Sequence, residues 1–146
     1  VHDESDKAKK YVADRKINNV VFKGYAPRNE IINYLAAADV LVIPNSGLCE
    51  ETKLFTSPMK LFEYMSYGRP IVASATPTML EILNENNAIL VEPDNPEALK
   101  NGLLKIFQDK DFAESLAENS KKDVQNYTWR KRAEGISAFI KKRVAN

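Results

Sequence analysis

A lysine stands near the start of a predicted helix, in TSPMKLFEYMSYGRP (residues 56–70), at a position that usually favours an acidic side chain. Ser57 is a suitable N-cap, Pro58 suits the first helical position, and Gly68 predicts the end of the helix. Lys60 then places a cation beside the positive end of the helix dipole. A bound phosphate would make this placement favourable, because hydrogen bonds to a charged group contribute about 1.5 to 3 kcal/mol.

Glu63 follows Lys60 at a spacing that puts both side chains on the same face of the predicted helix. Its carboxylate can accept hydrogen bonds from a neighbouring diol, as an acidic residue does for the ribose in other nucleotide sites. The alternative is a surface ion pair between the two side chains, which would contribute a few tenths of a kcal/mol. From the residues alone, a nucleotide site and a surface pair both remain open.

The elements that must hold this pair alternate between strands and helices. Short apolar runs predict four buried strands, at 20–23, 40–43, 71–73 and 88–91. Helical spacing predicts helices at 28–38, from Ser57 onward, at 78–84 and, beyond Pro93, along the remaining chain. Apolar strands without alternation, each followed by a helix, indicate a parallel sheet covered on both faces. We therefore predict one α/β domain over residues 1–146.

Loops at the carboxyl ends of parallel strands are where such sheets bind ligands. The predicted loops are 24–27, 45–57 and 74–76, and the helix that carries Lys60 begins in the second of them. Its free N–H groups together with Lys60 would form an anion site. The 45–57 loop, at about a dozen residues, is long for a strand-to-helix connection, which is typical of a functional loop.

The composition argues against several classes of protein. The net charge of +1 gives no global field for nucleic acid or a membrane. Cys49 is the single cysteine, so no internal disulfide forms and a cytoplasmic location is expected. Residues 121–146 nevertheless hold eight Lys or Arg against two Asp or Glu. This segment is either a solvated helix face or a docking surface for acidic lipid or a partner, which leaves open peripheral association with the inner face of the membrane.

Several stretches together resemble one protein family. They are SPMKLFEYMSYGRPIVAS, the glutamate of MLEIL, NAILVEPDNPEALKNGL, NNVVFKGYAPRNEIINYLAAADVLVIPN and YTWRKRAEGI. In this order, and over nearly the whole chain, they resemble the C-terminal, donor-binding domain of two-domain GT-B glycosyltransferases, and most of all the retaining family 4. The resemblance implies a Rossmann-like sheet and a nucleotide-diphosphate-sugar donor held between two domains, with neither a cofactor nor a metal.

The resemblance also implies roles for individual residues. Gly24 and Tyr25 would present backbone to the base, and Glu63 would bind the ribose hydroxyls. The residues near the diphosphate or the transferred sugar would be Ser57, Pro58 and Lys60. A helix N-terminus and a lysine can neutralise a leaving diphosphate, so Lys60 is the expected catalytic residue.

The chain departs from the family pattern in two respects. Many members carry an earlier glutamate that contacts the donor sugar, and Phe55 occupies that position here, with Glu50 and Glu51 nearby but out of register. The chain also opens on Val1, after the family's first strands, so we expect an excised fragment. It would lack the basic pair that commonly grips the diphosphate, and the N-terminal domain that supplies the acceptor site. We therefore expect no sugar transfer by these residues alone.

Other functions remain as alternatives. A sugar-nucleotide epimerase of the same architecture would need acid and base residues that this stretch does not show. A non-catalytic α/β module such as a phosphoacceptor receiver would need acidic strand ends, whereas these strands end in Pro44, Ser74 and Pro93. Asp109 and Asp111 form a D-x-D resembling a metal motif, but their position between two helices favours a polar helix junction. The sugar, the base and the acceptor stay open.

Overall fold

The computed structural model describes residues 2–48, 50 and 59–144. The chain divides into two compact units, Val1–Asn33 and Tyr34–Asn146. The second unit contains the sheet and most of the helices, and so it contains the elements that position Lys60 and Glu63.

The first unit contains a helix that the sequence patterns did not predict, α1, which spans His2–Asp14. The strand predicted at 20–23 is wrong for this structure, because those residues join no strand of the described sheet. Its apolar side chains are exposed, including Val21 at 74%. A strand is defined by hydrogen bonds to a neighbour and by packing on its faces, and an apolar run supplies neither by itself.

Three short strands form a parallel sheet in the order β1 (Leu41–Ile43), β2 (Ile71–Ser74) and β3 (Ile89–Val91). Leu41 pairs with Ile71, and Val72 pairs with Ile89. The central strand β2 is buried along its whole length, as expected for a strand covered on both faces. The predicted parallel α/β fold is confirmed, and these three strands lie within one residue of the predicted positions.

The helices of the chain follow the predicted alternation. After α1, the described part of the chain contains α2 (Arg28–Ala37), α3 (Met59–Tyr67), α4 (Pro77–Leu80), α5 (Pro96–Gln108), α6 (Lys110–Asp123) and α7 (Trp129–Val144). The helix predicted at 78–84 is wrong in extent, because α4 ends at Leu80. The Asn87 side-chain oxygen accepts from the Asn84 backbone N–H (2.9 Å), which gives that donor a partner outside a helix. Thr128 caps α7, since its hydroxyl accepts from the Lys131 backbone N–H (3.3 Å).

No helix in the described part of the chain has the length and apolar content needed to cross a bilayer.

The core lies on both faces of the sheet. Ile71 and Ala73 of β2 contribute to one buried cluster with Leu61 and Met65 of α3. Val72 contributes to the opposite cluster, which contains side chains of β3, α5 and α6. α5 approaches the sheet closely at a glycine, where a Cβ on Gly102 would lie 2.9 Å from Val91 Cγ1.

Candidate functional site

The helix α3 is the crossover connection between two parallel strands. Because β1 and β2 run in the same direction, the chain leaves β1 at the carboxyl edge of the sheet and returns to the amino edge before β2. The backbone N–H of Leu41 donates to the carbonyl of Pro70 (2.9 Å), which places the end of this connection beside the start of β1. The N-terminal end of α3 therefore lies toward the carboxyl edge, where α/β sheets bind ligands.

Lys60 and Glu63 occupy the outer face of α3. Leu61 and Met65 are fully buried against the sheet, and this fixes the rotation of the helix. Lys60 and Glu63 are both exposed, on the face turned away from that core. Among the described residues the structure shows no ion pair between these two side chains, so the interpretation as a simple surface pair is not supported. Both groups are available to a ligand on one face.

Glu63 also acts on its neighbour Tyr64. Burial, and to a lesser extent the negative charge of Glu63, raises the pKa of the Tyr64 phenol above its ordinary value of 10.0. The half-buried ring therefore stays neutral near physiological pH and serves as packing surface. Glu63 thus has an exposed carboxylate, while the next residue, Tyr64, is half-buried.

The carboxyl edge of the sheet has a second polar feature, which links the loops after β1 and β3. The backbone N–H of Gly47 donates to Asp94 Oδ2 (2.8 Å), across 47 residues of sequence. Asp94 adopts a left-handed backbone with φ of 57°, a conformation that Asp tolerates better than most residues. Beside it, Asn95 Nδ2 donates to Glu92 Oε2 (2.6 Å). These contacts hold two edge loops in place.

A cavity of about 270 Å³ opens at this edge, lined in part by Pro44, Ser74, Glu92 and Asp94. Its two carboxylates can accept hydrogen bonds from hydroxyl groups, and they disfavour a phosphate by like charge. No sequence motif singled out Glu92 or Asp94 as site residues. The feature that could have identified them is their position directly after the last strand of a parallel sheet, where ligand-binding loops lie.

An aromatic groove of about 320 Å³ lies beside the start of α3. Met59 and Phe62 of α3 line it together with Tyr127 and Trp129, and the Phe62 and Tyr127 ring centroids are 5.3 Å apart. Lys131 lines it too, with its Nζ donating to Asn126 Oδ1 (2.8 Å). The helix that carries Lys60 and Glu63 is therefore bordered by a largely apolar groove whose lining includes Lys131 and Arg132.

The remaining predicted site residues divide into two groups. Gly24 has φ of 68°, and Tyr25 beside it is 93% exposed, but both belong to the first unit. A common cleft between this loop and α3 stays a prediction. Ser57 and Pro58 lie outside the described residues.

The D-x-D motif has a structural role. Asp109 is the N-cap of α6, and its Oδ1 accepts from the Phe112 backbone N–H (3.0 Å). The interpretation as a polar helix junction is confirmed. Over residues 2–48, 50 and 59–144, the structure shows no group of three or more side chains arranged to hold a metal ion.

The parallel sheet, its crossover helix and the loops at its carboxyl edge define a Rossmann-like α/β domain. The chain belongs to the family described as Glycosyl transferases group 1, whose model matches residues 2–123. The resemblance drawn from the motifs, to the donor-binding half of a GT-B glycosyltransferase, agrees with this membership. The residues matched by the family model include Lys60, Glu63 and every strand of the described sheet.

Related sequences are glycosyltransferases of greater length. The chain is 32% identical over 114 residues to Uncharacterized glycosyltransferase MJ1607 of Methanocaldococcus jannaschii, covering 77% of this chain and 27% of that protein. It is 33% identical over 72 residues to Probable sucrose-phosphate synthase 1 of Oryza sativa subsp. indica, covering 49% and 7% respectively. The chain thus spans about a quarter or less of the length of these relatives.

Solved structures share the fold. Sucrose-phosphate synthase from Thermosynechococcus elongatus superposes with a TM-score of 0.78 at 24% identity, covering 97% of this chain and 35% of that one. Anabaena Alr3699/HepE in complex with UDP-glucose superposes with a TM-score of 0.72 at 19% identity, covering 94% and 37%. Both are GT-B glycosyltransferases, so the fold is that of one part of a GT-B enzyme.

Proposed function

We propose that this chain binds a nucleotide-diphosphate-sugar donor, and that the whole protein transfers the sugar to an acceptor with retention and without a metal. One observation carries the proposal: Lys60 and Glu63 share the exposed face of α3, whose N-terminal end lies toward the ligand-binding edge of the sheet. A cation at that end suits a diphosphate, and a carboxylate one helical turn away suits the ribose diol.

Lys60 has a defined part in the proposed reaction. The bond between the anomeric carbon and the diphosphate oxygen breaks, and its electron pair stays on the diphosphate. Lys60 and the helix dipole of α3 stabilise this developing negative charge, which is the usual means of lowering such a barrier. The acceptor oxygen bonds to the anomeric carbon from the same face, and its proton passes to the leaving phosphate. Glu63 holds the ribose and fixes the position of the donor.

The related proteins support the choice of ligand. Alr3699/HepE has been solved with UDP-glucose and with UDP, and its fold superposes on 94% of this chain. The family membership supports glycosyl transfer. UDP is therefore the first probe for this chain, with ADP and GDP as comparisons because the base is open.

The experiment is calorimetric titration of the chain with UDP, ADP and GDP. For the diphosphate that binds most tightly, we expect Lys60→Ala and Glu63→Ala each to weaken binding by about tenfold, which corresponds to the loss of one charge-assisted contact. The matched controls are Lys100→Ala and Glu97→Ala, which remove a surface ion pair at the same spacing on α5. Full affinity in both α3 variants, or equal losses in the α5 variants, would refute the site.

Transfer itself needs a separate assay. We propose that these 146 residues bind donor but do not transfer sugar, because catalysis requires the acceptor in near-attack geometry and an enclosing second wall. Incubation with sugar nucleotides should release no nucleoside diphosphate above the background rate. Turnover to a defined glycosylated product by the chain alone would overturn this part of the proposal and leave the donor site intact.

A further inference from the structure

The cavity at the carboxyl edge of the sheet is lined by a buried hydroxyl that has no partner within the protein. Ser74 is the last residue of β2, is only 4% exposed, and lines this cavity. Among the described residues its hydroxyl has no hydrogen-bond partner, and its oxygen is not fully enclosed. A buried hydroxyl is unfavourable unless it is hydrogen-bonded. The Ser74 hydroxyl is therefore open to a ligand in the cavity.

Two carboxylates line the same cavity and keep free acceptor sites. Asp94 Oδ2 accepts from the Gly47 backbone N–H (2.8 Å), and Glu92 Oε2 accepts from Asn95 Nδ2 (2.6 Å). Each bond fixes a carboxylate and leaves its second oxygen available. Neither carboxylate forms an ion pair with a described residue. The cavity thus offers several fixed acceptors together with one hydroxyl.

The rest of the lining is mainly apolar. Pro44 follows β1, Val91 ends β3, and Pro96 and Leu99 lie near the start of α5. Small-ligand sites usually have this composition, with apolar side chains around a few fixed polar groups. A sugar ring has hydroxyl groups at its edge and C–H groups on its faces, so it matches both parts of this lining.

Other ligands match the cavity less well. A phosphate would meet two carboxylates of like charge. A calcium ion takes about six to eight oxygen ligands, and within the described residues no group of three or more side chains is arranged to hold a metal. A purely apolar ligand would leave the Ser74 hydroxyl unpaired. A neutral molecule with several hydroxyl groups avoids all three costs.

We propose that this cavity binds a sugar ring. The ring hydroxyls pair with Ser74, Glu92 and Asp94, and its C–H face packs on Pro44 and Leu99. The ring can come from two sources with the same binding chemistry, namely the sugar of the nucleotide donor or a separate sugar. The donor source rests on the proposed function, because it requires the diphosphate at the N-terminal end of α3.

The first test uses free sugars, so it does not depend on nucleotide binding. Amide NMR spectra of the isotope-labelled chain follow the Gly47 backbone amide and the Asn95 side-chain amide during titration with glucose, galactose, mannose and N-acetylglucosamine. We expect at least one sugar to shift both signals, with a Kd of about 1 to 10 mM. Ser74→Ala and Glu92→Gln should each weaken this binding by about fivefold or more.

Matched control variants lie on neighbouring helices. Ser115→Ala removes a hydroxyl that donates to the Phe112 carbonyl on α6 (2.7 Å), and Glu97→Gln removes a surface carboxylate on α5. Both should bind the sugar as the wild type does. Thermal melting checks that every variant keeps its fold.

The second test identifies the source of the ring. Calorimetry compares the tightest-binding nucleoside diphosphate with the same nucleotide carrying each sugar. For a donor sugar, one sugar nucleotide should bind at least about fivefold more tightly than the bare diphosphate, and Ser74→Ala should remove only this difference. For a separate sugar, Ser74→Ala should weaken binding of the free sugar and leave the affinity for every sugar nucleotide unchanged.

Three results would overturn the proposal. The first is that none of the free sugars or sugar nucleotides shifts the Gly47 and Asn95 signals. The second is that the shifts persist unchanged in Ser74→Ala and Glu92→Gln. The third is that magnesium chloride or spermidine shifts these signals and the sugars do not. Sugar binding without any nucleotide binding would support the cavity and refute the proposed donor site, so the two failures are distinguishable.

Discussion

Lys60 and Glu63 differ from their neighbours on α3 in what surrounds them. Packing in the core accounts for the presence of Leu61 and Met65, which are fully buried. The two charged side chains do not contribute to this core. An exposed cation near the N-terminal end of a helix is slightly unfavourable without an anion nearby. A ligand with a diphosphate and a ribose accounts for both residues at once, and a surface pair does not, because the two side chains do not meet.

Tyr64 gives a pH-dependent prediction at the residue scale. Its raised pKa means that the folded chain holds the phenol proton more tightly than the unfolded chain does. This contribution to the free energy of unfolding is complete below the unfolded pKa of about 10 and is lost as pH rises through the folded pKa. Chemical denaturation of Tyr64→Phe should therefore show a smaller loss of stability above about pH 10 than the wild type.

The Glu63 charge is the secondary cause of the Tyr64 shift, so Glu63→Gln should lower the pKa of Tyr64 partway toward its ordinary value. Ultraviolet absorbance of the phenolate measures this directly. An alkaline stability slope that is identical in the wild type and in Tyr64→Phe would contradict the assignment.

At the scale of elements, the position of α5 depends on one glycine. A Cβ on Gly102 would lie 2.9 Å from Val91 Cγ1 and 3.1 Å from Val72 Cγ1, and valine side chains are stiff about χ1. We expect Gly102→Ala to lower the free energy of unfolding by about 1 to 3 kcal/mol, through overpacking between α5 and the sheet.

Gly135 on α7 is the matched control, because a Cβ there would meet no atom within 4 Å. Gly135→Ala should raise stability by about 0.5 to 1 kcal/mol, through helix propensity alone. Urea denaturation of the two variants measures the difference. A Gly102→Ala variant as stable as Gly135→Ala would show that α5 does not lie this close to the sheet.

At the scale of the whole molecule, the sequence predicts the sheet better than the site. The strands at 71–73 and 88–91 could be predicted, because a continuous apolar run between helix- and strand-breaking residues is itself typical of a buried strand. The run at 20–23 begins with three apolar residues as well, but it forms no strand, because pairing depends on a neighbour that local sequence does not encode.

The part of the candidate site that lies on the single helix α3 could be predicted from the sequence. The shared face of Lys60 and Glu63 follows from helical spacing, and the burial of Leu61 follows from the same periodicity. The hydrogen bond from the Gly47 backbone N–H to the Asp94 carboxylate could not be predicted. It joins two loops that are 47 residues apart and that meet only after the sheet has formed. Local periodicity carries no information about such contacts.

The central claim is that Lys60 and Glu63 contact different parts of one nucleotide. The most direct measurement compares, by calorimetry, the tightest-binding nucleoside diphosphate with its monophosphate and with its 2′,3′-dideoxy form. In the wild type each loss of a ligand group should weaken binding by about tenfold. Lys60→Ala should abolish the preference for the diphosphate and keep the preference for the ribose hydroxyls, and Glu63→Ala should do the reverse. Both preferences surviving in both variants would contradict the account.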